Sequence, residues 1–182
     1  MSNLAVNVAV IHEGKILLTQ RADFETWVLP SGVEDGESLA QAALRETKEE
    51  TGMDVELTRL VGIYSRLGSW SPGYMVLFAA KPIGGEIKCQ EGETIAVEWF
   101  AFDELPSPLS LGHKRRIQDA IAGVNGAVVL QEYQLPTLPE KFSRKDLMER
   151  FIKSGLTPQQ FYLQIIEKAE IKEFNEIEMS DL

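Results

Sequence analysis

Two apolar runs open the chain, AVNVAVI at 5–11 and KILLTQR at 15–21. The intervening His12-Glu13-Gly14 predicts a β-hairpin, with Gly14 supplying the turn's backbone freedom. ADFETWVLPSGVEDGE has no sustained period and is punctuated by Pro30, Gly32 and Gly36, so it reads as a loop. Ser38 followed by Gln41 makes a capping box, and Gly52 suits the left-handed position after a helix, which bounds a helix over about 38–51. VELTRLVGIYSR, GYMVLFAAK, GEIKCQ and TIAVEWFAF read as strands, and HKRRIQDAIAG as a helix ending at Gly123. Strands surrounding one strong early helix, with a second helix later, predict an α+β fold with a mixed β-sheet covered by helices.

The pattern changes near residue 125. QLPTLPEKF is a proline-punctuated connector, after which Ser143 opens a helix ended by Gly155. Thr157 then caps a helix with Pro158 at its first position, and QQFYLQIIEKAEIKEF continues the helical pattern. The expected organisation is a domain at 1–124, a connector at 125–142 and a helical extension at 143–182. The apolar residues of the extension, among them Leu147, Phe151, Phe161 and Ile165, need covering by this domain or by a second copy in a homodimer.

Composition narrows the function. Eighteen basic against 28 acidic residues, net charge -10, weigh against nucleic-acid binding, because phosphate neutralisation needs clustered Lys and Arg. A phosphate-bearing small molecule remains compatible if metal ions intervene. The single Cys89 excludes an intramolecular disulfide framework and reads as a core or strand thiol. The opening has no basic segment before its apolar run, and that run is too short for a bilayer, so the expectation is a cytoplasmic protein without a membrane span.

On the early helix, Leu39, Ala42, Ala43, Glu46 and Glu50 fall on one face, with Glu49 at its margin. An apolar stripe therefore runs into carboxylates. Glutamates at these spacings repel unless something neutralises them. One reading is a solvated helix end; the other is a divalent cation, Mg²⁺ or Mn²⁺, held by hard oxygen donors and bridging to substrate phosphates. The segment SGVEDGESLAQAALRETKEETGM at 31–53 resembles the Nudix box, with Glu37, Arg45, Glu46, Glu49, Glu50, Gly52 and Met53 at the family spacing. Ser31 stands where the box begins with Gly, although Gly32 follows it, and Thr47 replaces an aliphatic residue.

The resemblance covers roughly 6–123 and implies a Nudix-type α/β/α sandwich with Mg²⁺-dependent hydrolysis of a nucleoside diphosphate linked to another moiety. It implies Glu46, Glu49 and Glu50 as metal ligands, with the Ser31 position offering a backbone oxygen, and Arg45 with Glu37 as the pair that orients them. The general base comes either from the box, at Glu50, or from the loop CQEGET, where Glu93 and its neighbour Glu91 flank a glycine in a segment that reads equally as a solvated turn. Arg21 and Arg66 are candidate phosphate contacts, while Trp27, Tyr64 and Trp70 are candidate stacking groups; aromatics among strands are more often core, Trp27 reads equally as core or pocket, and Trp70 reads as exposed because its loop is rich in Gly, Ser and Pro. The favoured substrate is a nucleotide sugar such as ADP-ribose. The alternatives are a housecleaning nucleoside triphosphate pyrophosphatase and a non-catalytic nucleotide-sensing module.

Overall fold

The computed structural model describes residues 4–33, 36–68, 72–139 and 142–177. Its strands are β1 (Leu4–His12), β2 (Lys15–Arg21), β3 (Trp27–Val28), β4 (Ser31–Gly32), β5 (Met53–Gly68), β6 (Gly73–Gly85), β7 (Thr94–Ala101), β8 (Ala127–Gln134) and β9 (Glu170–Ile177). Its helices are α1 (Leu39–Thr51), α2 (His113–Ile121), α3 (Arg144–Ser154) and α4 (Pro158–Ile166). The strands form one mixed sheet in the order β3-β2-β1-β6-β5-β8-β9, with β4 added to β1 and β7 to β2. β1–β6 and β5–β8 are parallel pairs and the other pairs are antiparallel.

Strand alternation decides what each face carries. Val6, Val8 and Val10 of β1 join Leu17, Ala42 and Ala43 in the core beneath α1. Ala9 turns to the opposite face, where Leu18, Tyr64, Ile117 and Ala120 pack beneath α2. Helices on both faces make this the expected α+β sandwich. Asn7 shares the parity of Ala9, so a polar amide is carried to the α2 side.

Three sequence readings are corrected. GEIKCQ is not a strand: β6 stops at Gly85, and the Lys88 N–H donates to the Thr51 carbonyl at 2.9 Å, satisfying the end of α1 rather than a sheet. Cys89 is accordingly exposed. Residues 125–142 are more than a connector, because β8 lies within them and inserts beside β5 with Ala127, Val129 and Tyr133 buried. The last helix ends at Ile166, and residues 170–177 pair antiparallel with β8. Glu- and Lys-rich EIKEFNEI suits a helix locally, but β8 would otherwise present an open edge, and closing that edge outweighs propensity.

The extension packs on its own domain. Phe24 from the loop after β2 stacks on Phe161 (6.2 Å) and meets Phe151 edge-on (6.4 Å), within a cluster that also holds Leu147, Tyr162 and Ile165. The Tyr162 hydroxyl accepts from Leu111 N at 2.8 Å, tying α4 to the segment entering α2. The apolar face that raised the prospect of a homodimer is thus covered within the chain.

Candidate functional site

Caps at both ends set the register of α1. The Ser38 hydroxyl accepts from Gln41 N at 3.2 Å, the Gln41 side chain accepts from Ser38 N at 3.0 Å, and Gly52 closes the helix at φ 75°. Helical spacing then buries Ala42, Ala43, Thr47 and Glu50 and leaves Arg45, Glu46 and Glu49 along the margin. Thr47 tolerates its buried position because its hydroxyl donates to the Ala43 carbonyl at 2.7 Å.

Arg45 joins three carboxylates. Its Nε and Nη2 donate to the two Glu37 oxygens at 3.0 and 2.6 Å, Nη2 also to Glu46 at 2.8 Å, and Nη1 to Glu49 at 2.8 Å. These bonds, Glu37's foremost, raise its already high pKa, so it stays a cation. Burial pushes the Glu46 carboxyl up against the pull of Arg45. Glu50 lies deeper, accepting from Thr19 Oγ1 at 3.2 Å and from Ser31 N at 3.3 Å. Burial pushes its pKa up to about 8, with the Glu46 charge adding to the shift and the two hydrogen bonds opposing it.

β4 brings the loop onto these carboxylates by pairing with β1, Gly32 opposite Val6 and Ser31 opposite Asn7. Ser31, the position expected to offer a backbone oxygen to a metal, donates its N–H to Glu50 and so lies against an expected ligand. Gly32 is the position that must stay bare: a Cβ there would stand 2.1 Å from Glu46 Oε1 and 2.3 Å from its Cδ. Gly32→Ala is expected to leave stability within about 1 kcal/mol, since a flexible side chain can yield. Displacing the carboxylate is expected to lower metal-dependent turnover roughly 10- to 100-fold and raise the half-saturating Mg²⁺ concentration. A metal titration of activity beside a melting curve checks both.

A cavity of about 360 Å³ adjoins Glu50, lined by Thr19, Arg21, Gly92 and Glu93. A second, of about 450 Å³, opens beyond Arg21 and Val28, which line both; Asn7, Arg66, His113, Leu147 and Tyr162 contribute to its walls. Arg21 is ion-paired with Asp23 at 2.6 Å, which raises its pKa and fixes it between the two spaces. Glu93 faces the first cavity, whereas Glu91 lines a separate groove with Glu49.

Trp27 is corrected from a candidate substrate contact to core: it is 8 % exposed, meets Phe100 edge-on at 4.8 Å and packs beneath α2. Tyr64 is also core, its hydroxyl donating to Asp119 at 2.8 Å. Arg66 lines the second cavity, and burial lowers its pKa. Trp70 lies outside the described residues.

Sequence reading missed Asn7, His113 and Arg116. An asparagine inside an apolar strand was the available signal for Asn7; the other two open the segment HKRRIQDAIAG, whose run of basic residues gives no local sign of burial. Arg116 is fully buried, its Nη1 donating to Asn7 Oδ1 and its Nε to Gly112 O at 3.0 Å. His113 Nδ1 accepts from Leu29 N at 3.1 Å. Burial, with the charges of Arg116, Arg66 and Arg21 around it, holds His113 well below the ordinary imidazole value of 6.5. Below that value the unfolded chain gains a proton that the folded state refuses, so stability falls as pH drops. His113→Asn keeps an acceptor for Leu29 and cannot titrate; urea unfolding at pH 7 and pH 5 should show the parent's acid loss reduced in the variant, and an unchanged loss would place its origin elsewhere.

Among the described residues no three His, Cys, Asp or Glu side chains already converge as a metal cluster. The donors nevertheless fit a hard divalent cation. The Glu46 and Glu50 carboxylates, from successive helical turns, both lie on the two-residue strand β4, one seated on the bare Cα of Gly32 and the other on Ser31 N. Their repulsion and burial are what a cation relieves. No helix among the described residues is long and apolar enough to cross a membrane.

A model of the NUDIX domain matches residues 1–120. The chain is 35% identical over 129 residues to an ADP-ribose pyrophosphatase of Methanocaldococcus jannaschii, covering 68% of this chain and 75% of the relative. It is 30% identical over 162 residues to the 8-oxo-dGDP phosphatase NUDT18 of Mus musculus, covering 84% of this chain and 47% of the relative. A crystal structure of an ADP-ribose pyrophosphatase from Streptococcus suis superposes with TM-score 0.60 at 32% identity, over 66% of this chain and 90% of that one.

Proposed function

Since this chain belongs to the Nudix family of hydrolases acting on pyrophosphate bonds, we propose that it cleaves the pyrophosphate of a nucleotide with Mg²⁺ or Mn²⁺. In this reading the phosphates lie beside Arg21 and the α1 carboxylates, and the nucleoside enters the adjoining cavity. The observation that carries it is the single hub at Arg45, which holds Glu37, Glu46 and Glu49 together beside buried Glu50.

Glu46, Glu49 and Glu50 would hold the cation. Bound there, it supplies charge neutralisation on the pyrophosphate oxygens and a polarised water. The chain's own groups do the rest. Arg45, clamped by Glu37, keeps the Glu46 and Glu49 oxygens in register against their mutual repulsion. Arg21, steered by Asp23, binds a phosphate oxygen between the two cavities. Glu93, across from Glu50, takes the proton of the attacking water at its carboxylate, a general-base role that Glu50 would assume if Glu93 proves dispensable.

The narrower form of this proposal, with the nucleotide sugar ADP-ribose as substrate, is the one the sequence favoured, and the names of the archaeal and streptococcal relatives support it. Phosphate release should be measured across nucleoside di- and triphosphates, nucleotide sugars and dinucleoside polyphosphates, with phosphatase coupling where needed and an EDTA control. Turnover that depends on metal and is confined to nucleotide pyrophosphates is expected. Silence across the panel, with nucleotide still bound, would overturn the proposal in favour of a sensing module.

A further inference from the structure

The second cavity is asymmetric in its hydrogen-bonding chemistry. Two nitrogens of its lining residues, Asn7 Nδ2 and Arg66 Nε, are buried and have no hydrogen-bond partner among the described residues. Both are donors. The orientation of the Asn7 amide is settled by its neighbour: guanidinium nitrogens cannot accept, so the atom facing Arg116 Nη1 must be the oxygen. Arg116 is therefore a positioning residue that holds the oxygen of a fully buried, cavity-lining amide and leaves its N–H₂ end unpartnered. An unmatched donor in such a place is costly, and both are satisfied at once by a ligand presenting acceptors.

The field points the same way. Burial holds the pKa of Arg116 down to about 10, with the charge of Arg66 adding to the effect, and burial with the same two charges holds His113 neutral. The extension contributes to the same lining: Leu147 of α3 and Tyr162 of α4 join Phe24 and Met75, apolar groups suited to packing against a ring. These helices lie beyond the residues the NUDIX model matches.

Resting on the hydrolase reading above, we propose that this cavity holds the nucleobase and selects bases with a carbonyl edge, such as 6-oxopurines, over those with an amino group at that edge. Arg66 and Asn7 donate to the carbonyl oxygen and an adjacent ring acceptor, while α3 and α4 supply the apolar wall. A 6-aminopurine would bring an N–H against the Asn7 N–H₂, leaving donors opposed in a buried site.

Equilibrium binding to the full chain separates this from the chemistry, because it does not require turnover. Inosine and adenosine monophosphates differ only along the 1,6-edge, which carries a carbonyl with N1–H in one and an amino group with a bare N1 in the other, and the oxo compound is expected to bind about 10- to 100-fold more tightly. Asn7→Asp keeps an oxygen toward Arg116 and replaces the free donor with an acceptor, so it should erase or invert that preference. Arg66→Met should weaken the oxo compound more than the amino one, and it serves as the test should the aspartate variant fail to fold. Equal affinities, or a preference untouched in the folded variants, would overturn the proposal. Ribose 5-phosphate competing as well as inosine monophosphate would also overturn it, by assigning Arg66 to a phosphate. A preference seen in binding without hydrolysis of any pyrophosphate would sustain this inference while removing the hydrolase proposal beneath it.

Discussion

Glu50→Gln is expected to remove metal-dependent turnover, by on the order of 10²–10³ or more, while the protein folds as well as before or better. The two halves of that result have one cause. Glu50 is 9 % exposed, and its pKa is displaced from the ordinary 4.5 to about 8 by burial, so the metal-free fold prefers it neutral. The folded state binds its proton more tightly than the unfolded chain does. The resulting stability is complete below pH 4.5 and is lost as pH rises through about 8. The slope is about 1.4 kcal/mol per pH unit inside that window. Glutamine has nothing to ionise, keeps an oxygen to accept from Thr19 or Ser31, and escapes the loss. In EDTA the variant should therefore melt higher than the parent at pH 7.5 and equal to it at pH 4. Added Mg²⁺ should raise the parent's melting temperature and leave the variant's nearly unchanged. Retained turnover in Glu50→Gln would remove Glu50 from the ligand set; a melting difference independent of pH would show that its burial is not what strains the metal-free protein.

The carboxylate helix was legible because its information is local. Caps at Ser38 and Gly52 and a 3.6-residue period are all contained within one short segment, and the structure keeps those bounds. The sheet beyond the early hairpin was less legible where strands depend on partners far along the chain. β8 joins β5 across some sixty residues, and β9 exists because β8 needs an edge. Nothing within either segment advertises those pairings.

The same distinction divides the site. Arg45 and its three carboxylates lie within thirteen residues, and their spacing announces them. Asn7 and Arg116 are 109 positions apart, and their meeting follows from β1 parity and the placement of α2 across the sheet. Trp27 stayed open between core and pocket for the complementary reason: nothing in its own loop shows that pairing of β3 with β2 turns it onto Phe100 and the core. The long-range contacts that line the second cavity were hidden, where the local carboxylate cluster was visible.

The second large effect is one of stability, at Gly112. This residue sits at φ 80°, before α2, where its carbonyl accepts from Arg116 Nε at 3.0 Å and from Gln131 Nε2 at 3.3 Å. A Cβ there would stand 2.1 Å from the Tyr133 hydroxyl, 2.7 Å from Arg116 Nη2 and 3.0 Å from Gln131 Oε1. Alanine is thus strained twice, by a left-handed backbone that costs about 1–3 kcal/mol and by displacing buried polar atoms that have no solvent to turn to. Gly112→Ala is expected to destabilise by roughly 3–5 kcal/mol, lowering the melting temperature of a chain this size by about 6–20 °C. The damage should reach the cavity, because Arg116 cannot move without releasing the Asn7 oxygen and freeing the amide to turn. In whatever fraction remains folded, the preference for a carbonyl edge should weaken, while the α1 carboxylates, on the other face of the sheet, keep their metal response. A melting temperature within a degree of the parent would mean that the Tyr133–Arg116–Gln131 cluster yields freely, and the rigidity on which the orientation of Asn7 depends would have to come from elsewhere.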